Sequence, residues 1–205
     1  MTHMTRFAAP ALLALSLALA PLASAASETL TLQEPVAAET LSKSKQTAPG
    51  LYITAADAAR VLADHPNVAL IDVRTPSEVN LIGYATAAAA NIPSKLMDPA
   101  LAFDAEKGMY KMVDNPAFVD EVNAWLASDA AKGVDTLLVM CRSGSRSAAA
   151  ISRLVEAGVD VTLYNVVDGF EGDTNDAGAR VVNGWRNAGL PWTYKVRAGL
   201  RPGYN

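Results

Sequence analysis

The stretch from Asp135 to Gly158 constrains this chain more than any other, because three residue patterns meet in it. Thr136-Leu137-Leu138-Val139-Met140 is a continuous apolar run of strand length, Leu-rich and β-branched, as a strand buried on both faces should be. Cys141-Arg142-Ser143-Gly144-Ser145-Arg146 follows, a Gly/Ser-rich turn carrying two arginines. From Ser147 to Ala157 the period becomes helical, with Ala148, Ile151, Leu154 and Val155 on one stripe and Gly158 placed as a C-terminal cap. A strand, turn and helix in this order put Cys141 at the carboxyl end of a buried strand. That is where open parallel sheets hold their ligands.

Elementary electrostatics says what a cysteine does there. Successive N–H groups of a tight turn, together with the helix dipole, favour negative charge, and Arg142 and Arg146 add two cations nearby in sequence. Cysteines in such surroundings are held in the thiolate form, which is the nucleophile. A structural cysteine would be set among apolar residues, and this loop has none. The residues therefore assign Cys141 as a nucleophile. It is the only cysteine in the chain, so no intramolecular disulfide can form.

Other short patterns share the family context of this loop. Ile71-Asp72-Val73-Arg74 with Glu78, Asn91-Ile92-Pro93, Asp168-Gly169-Phe170 and Trp185-Arg186-Asn187-Ala188-Gly189-Leu190-Pro191 stand in order around it. With C-R-S-G-S-R they resemble the signature segments of the rhodanese family of sulfurtransferases, spread over about Leu51 to Tyr194. The resemblance implies a five-stranded rhodanese-like sheet and a sulfane sulfur carried on Cys141. It implies donor binding by Arg142, Ser143, Gly144, Ser145 and Arg146, and no cofactor or metal. Its partners would be thiosulfate or a persulfide as anionic donor, and a thiol, cyanide or protein as acceptor. By family position Met109, Tyr110 and Met112 are expected at the pocket mouth. At Gly83-Tyr84-Ala85 the chain departs from the family, which has histidine where Tyr84 stands.

Along the chain, residues 1–25 read as a targeting segment. Arg6 gives the positive region, Ala8 to Ala20 the apolar one, and Ala23-Ser24-Ala25 the cleavage site, which predicts an exported, periplasmic protein. The apolar run, punctuated by Pro10 and Pro21, is too short for a comfortable membrane span, and no cysteine follows to carry a lipid anchor. Residues 26–50 have the composition of a flexible leader. Residues 51–197 then form one rhodanese-like domain, and 198–205 a tail. With a net charge of −4 and no basic run, the chain has no footprint for nucleic acid or an anionic membrane surface.

Within the domain, short strands at Leu51 to Ile53, Val68 to Val73, Thr136 to Met140 and Val159 to Val167 alternate with helices. The helices are expected at Ala55 to Asp64 (capped by Thr54), from Asn115 to about Ala130, at Ser147 to Ala157 and at Val182 to Ala188. That alternation predicts an α/β fold, a mainly parallel sheet with helices on both faces. Phe118 and Trp125 belong to the core side of their helix. Asp72 and Arg74 fall at a carboxyl strand edge, where an Asp–Arg pair fixes the loop in a supporting role. Glu171, Asp173, Asn175 and Asp176 lack calcium-loop spacing and read as a solvated loop.

Two other functions fit a cysteine loop: a phosphatase or arsenate reductase, and a non-catalytic partner that binds persulfides or anions. A phosphatase loop of this kind places five residues between cysteine and arginine. Here there are four, and the required position is Ser147. The shorter loop suits a single transferred sulfur.

Overall fold

The computed structural model describes Met1 and residues 30–203. The targeting segment read over residues 1–25 thus lies outside the described residues, Met1 excepted. In chain order come β1 (Tyr52–Ile53), α1 (Ala55–Asp64), β2 (Val68–Asp72), α2 (Pro76–Ile82), β3 (Tyr84–Ala85) and β4 (Ala88–Asn91). A ribbon arm of β5 (Lys95–Met97), β6 (Phe103–Asp104), β7 (Met109–Tyr110) and β8 (Met112–Asp114) follows. Then come α3 (Phe118–Leu126), β9 (Thr136–Met140), α4 (Ser145–Glu156), β10 (Thr162–Val166) and β11 (Trp192–Thr193).

β1, β10, β9, β2 and β4 pair side by side in that order, and every neighbouring pair is parallel. This is the five-stranded, helix-covered sheet that the rhodanese resemblance implies. Although β2 and β9 are buried throughout, their side chains still alternate between two cores. Val68, Leu70, Leu138 and Met140 join α1 and α2 on one face. Ala69, Ile71, Leu137 and Val139 join α3 and α4 on the other. Phe118 and Trp125 are both in that second core.

Local chemistry accounts for the helix ends. Thr54 caps α1 by accepting from Asp57 N, as its position predicts. α2 opens with a full capping box, Thr75 and Glu78 each satisfying the other's backbone N–H, and Pro76 follows the cap. α4 begins at Ser145, two residues earlier than expected. The helix expected from Asn115 to about Ala130 is shorter, Phe118–Leu126. Asn115 is spent on a turn instead: Oδ1 accepts from Ala117 N and Nδ2 donates to Pro93 O.

The closing helix expected at Val182 to Ala188 is absent. Its backbone donors serve another segment, with Trp185 N donating to Gly169 O and Arg186 N to Phe170 O at 2.9 and 3.0 Å. Gly184, in its midst, has φ +96 and lies against Gly172, where a Cβ would come within 2.5 Å of the Gly172 nitrogen. Trp185 is nonetheless buried in the sheet core.

The segment read as a flexible leader and the segment read as a tail are both docked on the domain. Over residues 30–50, Leu30 is buried, Gln33 N and Glu34 N donate to the Asp57 carboxylate, and Lys45 pairs with Asp173. Polar composition misled here because polar partners await these residues on the domain. In the tail, Leu200 is buried, its carbonyl accepts from Asn91 N, and Arg201 pairs with Glu121.

Candidate active site

The sheet order creates the site. β2 and β9 are neighbours, yet α2 leaves β2 toward one face while α4 leaves β9 toward the other. Between two such departures a crevice opens at the carboxyl edge. Cys141 follows β9 directly and is buried at the base of this crevice. Its carbonyl accepts from Phe170 N at 2.9 Å, and the Arg142 carbonyl accepts from Glu171 N and Gly172 N, so the segment after β10 cradles the loop. On the other side Val73 N donates to Met140 O.

Gly144 makes the turn possible. It has φ +95, and a Cβ there would lie 2.2 Å from the Val167 carbonyl oxygen. Its N–H donates to Cys141 Sγ at 3.2 Å. Ala148 N is the first to find an acceptor along α4, the Gly144 carbonyl. The amides of Ser145, Arg146 and Ser147 therefore have no helical acceptor, as a helix N-terminus dictates. Ser147 Oγ sits 3.4 Å from Sγ and 2.6 Å from Asn165 Oδ1, while Asn165 Nδ2 donates to the carbonyls of Gly144 and Lys45. The segment before β1 thus reaches Cys141 Sγ through two side chains.

The loop arginines line the cleft but are engaged elsewhere. Arg146 donates through both terminal nitrogens to the Glu78 carboxylate, and Arg142 Nε donates to Glu171 at 2.7 Å. Burial alone would raise the Glu78 carboxyl, but Arg146 and the Thr75 N–H and hydroxyl outweigh it and hold the group at about 2. Glu171 and Asp173, expected in a solvated loop, are ion-pair partners of Arg142 and Lys45.

Asp72 and Arg74 form a salt bridge with both side chains at 0% exposure, and Arg74 Nη2 also donates to the Gly83 carbonyl. The Arg74 guanidinium lies 4.1 Å from the Phe170 ring centroid. The pair ties β2, the end of α2 and the loop cradle together. Asn91, of the N-I-P segment, adds two donations to the carbonyls of Asp72 and Arg74.

Above Sγ the cleft spans ≈ 600 Å³ and is walled by the loop on one side and the ribbon arm on the other. Met109, Tyr110 and Met112 stand at its mouth as expected, and Ser143 and Ser145 line its floor. Asn165 and Arg180, which the sequence pattern does not single out, also reach this site, and Ser147, read there only as the start of a helix and as the place of a phosphatase arginine, contacts Sγ. Asn165, polar within an apolar strand, was the one detectable signal; nothing local marks Arg180.

Sheet order, crevice and cysteine loop together define an α/β domain of five parallel strands with a cysteine at its carboxyl edge, the arrangement that the rhodanese resemblance implies. No family model matches the chain. The uncharacterized protein RP600 of Rickettsia prowazekii is 29% identical over 143 residues, covering 69% of this chain and 96% of its own. The crystal structure of Rv0390 from M. tuberculosis superimposes with a TM-score of 0.52 at 28% identity, over 73% of this chain and 100% of that one. A thiosulfate sulfurtransferase from Pseudomonas aeruginosa aligns with 70% of this chain and 20% of its own, at 16% identity and a TM-score of 0.44.

Proposed function

We propose that this chain is a sulfurtransferase that carries sulfane sulfur as a persulfide on Cys141. The observation that supports it is the setting of Sγ: buried, touched by the Gly144 amide at 3.2 Å and the Ser147 hydroxyl at 3.4 Å, at the start of α4 and lining a cleft with Arg142, Arg146 and Arg180. In the first half-reaction the thiolate attacks the outer sulfur of thiosulfate. A new S–S bond forms, the old one breaks, and its electron pair leaves with sulfite. The persulfide anion left on Cys141 accepts hydrogen bonds from the loop amides. A thiolate or cyanide then attacks its terminal sulfur and restores the Cys141 thiolate. On the strength of residues 1–25, we place this activity outside the cytoplasm.

Mass spectrometry after thiosulfate treatment tests the reading. The expected result is a reducible gain of one sulfur atom on Cys141, absent from Cys141→Ser, with sulfur transfer abolished and melting temperature nearly unchanged in that variant. No adduct with any sulfane donor, or full turnover by Cys141→Ser, would overturn it.

A further inference from the structure

We propose that Arg180, rather than Arg142 or Arg146, binds the anionic end of the sulfur donor, an assignment that rests on the sulfurtransferase reading of the cleft. Arg180 shares the cleft with Cys141 although it lies far beyond the loop in sequence. It also borders a second, polar cavity of ≈ 60 Å³ with Glu171, Arg186 and Asn187.

The argument is one of which cations are already spent. Arg146 is held by Glu78 and Arg142 by Glu171. On the arm, Lys95 pairs with Asp114 and Lys107 with Asp104. Arg180 makes no such ion pair among the described residues. Its Nη1 donates to the Gly172 carbonyl, and a guanidinium has five N–H donors, so further donors remain for a ligand in the two cavities that Arg180 lines. Lys111 also lacks a carboxylate partner, but it stands exposed on the arm. Burial, and then the repulsion of nearby Arg142, push Arg180 below the ordinary guanidinium range against the opposing pull of Glu171 and Asp173.

The segment after β10 holds this side chain in place. Thr174 and Arg180 form an antiparallel bridge, and Asn175 Oδ1 accepts from Ala177 N and Ala179 N. Asn187 Nδ2 donates to the Arg180 carbonyl. The acidic stretch is a framed turn that returns one arginine to the cleft. A planar fork suits the three oxygens of a sulfonate group. With those oxygens on Arg180, the outer sulfur is left free for Cys141 in the same cleft, and the charge that develops on departing sulfite stays with the guanidinium.

Alkylation of Cys141 in the full chain separates this role from the transfer chemistry. The rate constant for anionic iodoacetate, divided by that for neutral iodoacetamide, reports how strongly the cleft gathers an anion beside Sγ. Arg180→Gln should lower the ratio about tenfold and leave the iodoacetamide rate within about twofold, while Arg180→Lys recovers part of it. Arg142→Gln should change the ratio less than about twofold. With thiosulfate, Arg180→Gln should raise KM more than it lowers kcat. An unchanged ratio in Arg180→Gln, or an equal fall in both alkylation rates, would overturn the assignment. A wild-type protein with the arginine-dependent ratio but no transfer from thiosulfate would overturn the sulfurtransferase reading instead.

Discussion

Arg146 Nη1 and Nη2 grip the Glu78 carboxylate at 2.8 and 2.5 Å, joining the helix after β9 to the helix after β2 across the mouth of the crevice. Glu78 also accepts from the N–H and hydroxyl of Thr75, so one carboxylate caps its own helix and restrains the cysteine loop.

Glu78→Gln should therefore cost about 1.5–3 kcal/mol at neutral pH, the range for hydrogen bonds to charged groups. Because folding lowers this carboxyl from 4.5 to about 2, its stabilisation is complete above 4.5 and is lost as pH falls toward about 2. Denaturant titrations across that window should show the gap between wild type and variant closing on acidification. A gap that stays constant would place the effect elsewhere.

Asp72→Ala should destabilise by about 3–5 kcal/mol, since it leaves Arg74 charged and unpaired where no solvent reaches. Replacing both residues by apolar ones of similar volume should cost less than the single change. Calorimetric melting of the two variants decides this; a milder single variant would refute the burial argument.

Gly144→Ala combines a left-handed backbone with a collision against the Val167 carbonyl, whereas Gly158→Ala, at φ +70, meets nothing within 4 Å. The second should cost about 1 kcal/mol and the first clearly more, with loss of Cys141 alkylation selectivity. Equal costs would show that the close approach is not felt.

Asn165→Ala should loosen the segment around Lys45, whose carbonyl it holds at 2.9 Å. Limited trypsin digestion should then cut at Lys43 and Lys45 at least about fivefold faster, as expected when a local opening becomes easier. Unchanged cleavage would mean that the Lys45–Asp173 pair is enough to keep the segment down.

What could be read from the residues was whatever has a local cause. β2 and β9 are dense in β-branched and Leu side chains, Thr54 caps its helix, and the cysteine loop carries its own glycine. β4 escaped because Ala88, Ala89 and Ala90 have little strand preference, and only pairing with β2 makes them one. α2 was legible in Thr75 and Glu78 but went unread. The partners of Arg142 and Arg146 lie 29 and 68 residues away, beyond any window of sequence pattern. For that reason the carboxylates that engage the two loop arginines could not be read from the loop itself.

The strand order also bears on the sequence of events during synthesis. β10 lies between β1 and β9, with Tyr52 against Asn165, so a chain emerging N-terminus first holds its opening strand without a neighbour until residues beyond 162 arrive. Phe170 N, which closes over the Cys141 carbonyl, comes later still. Such non-local pairing folds slowly and late. The thiol is thus made before its cradle, and the pocket around Cys141 is complete only when nearly the whole domain has been translated.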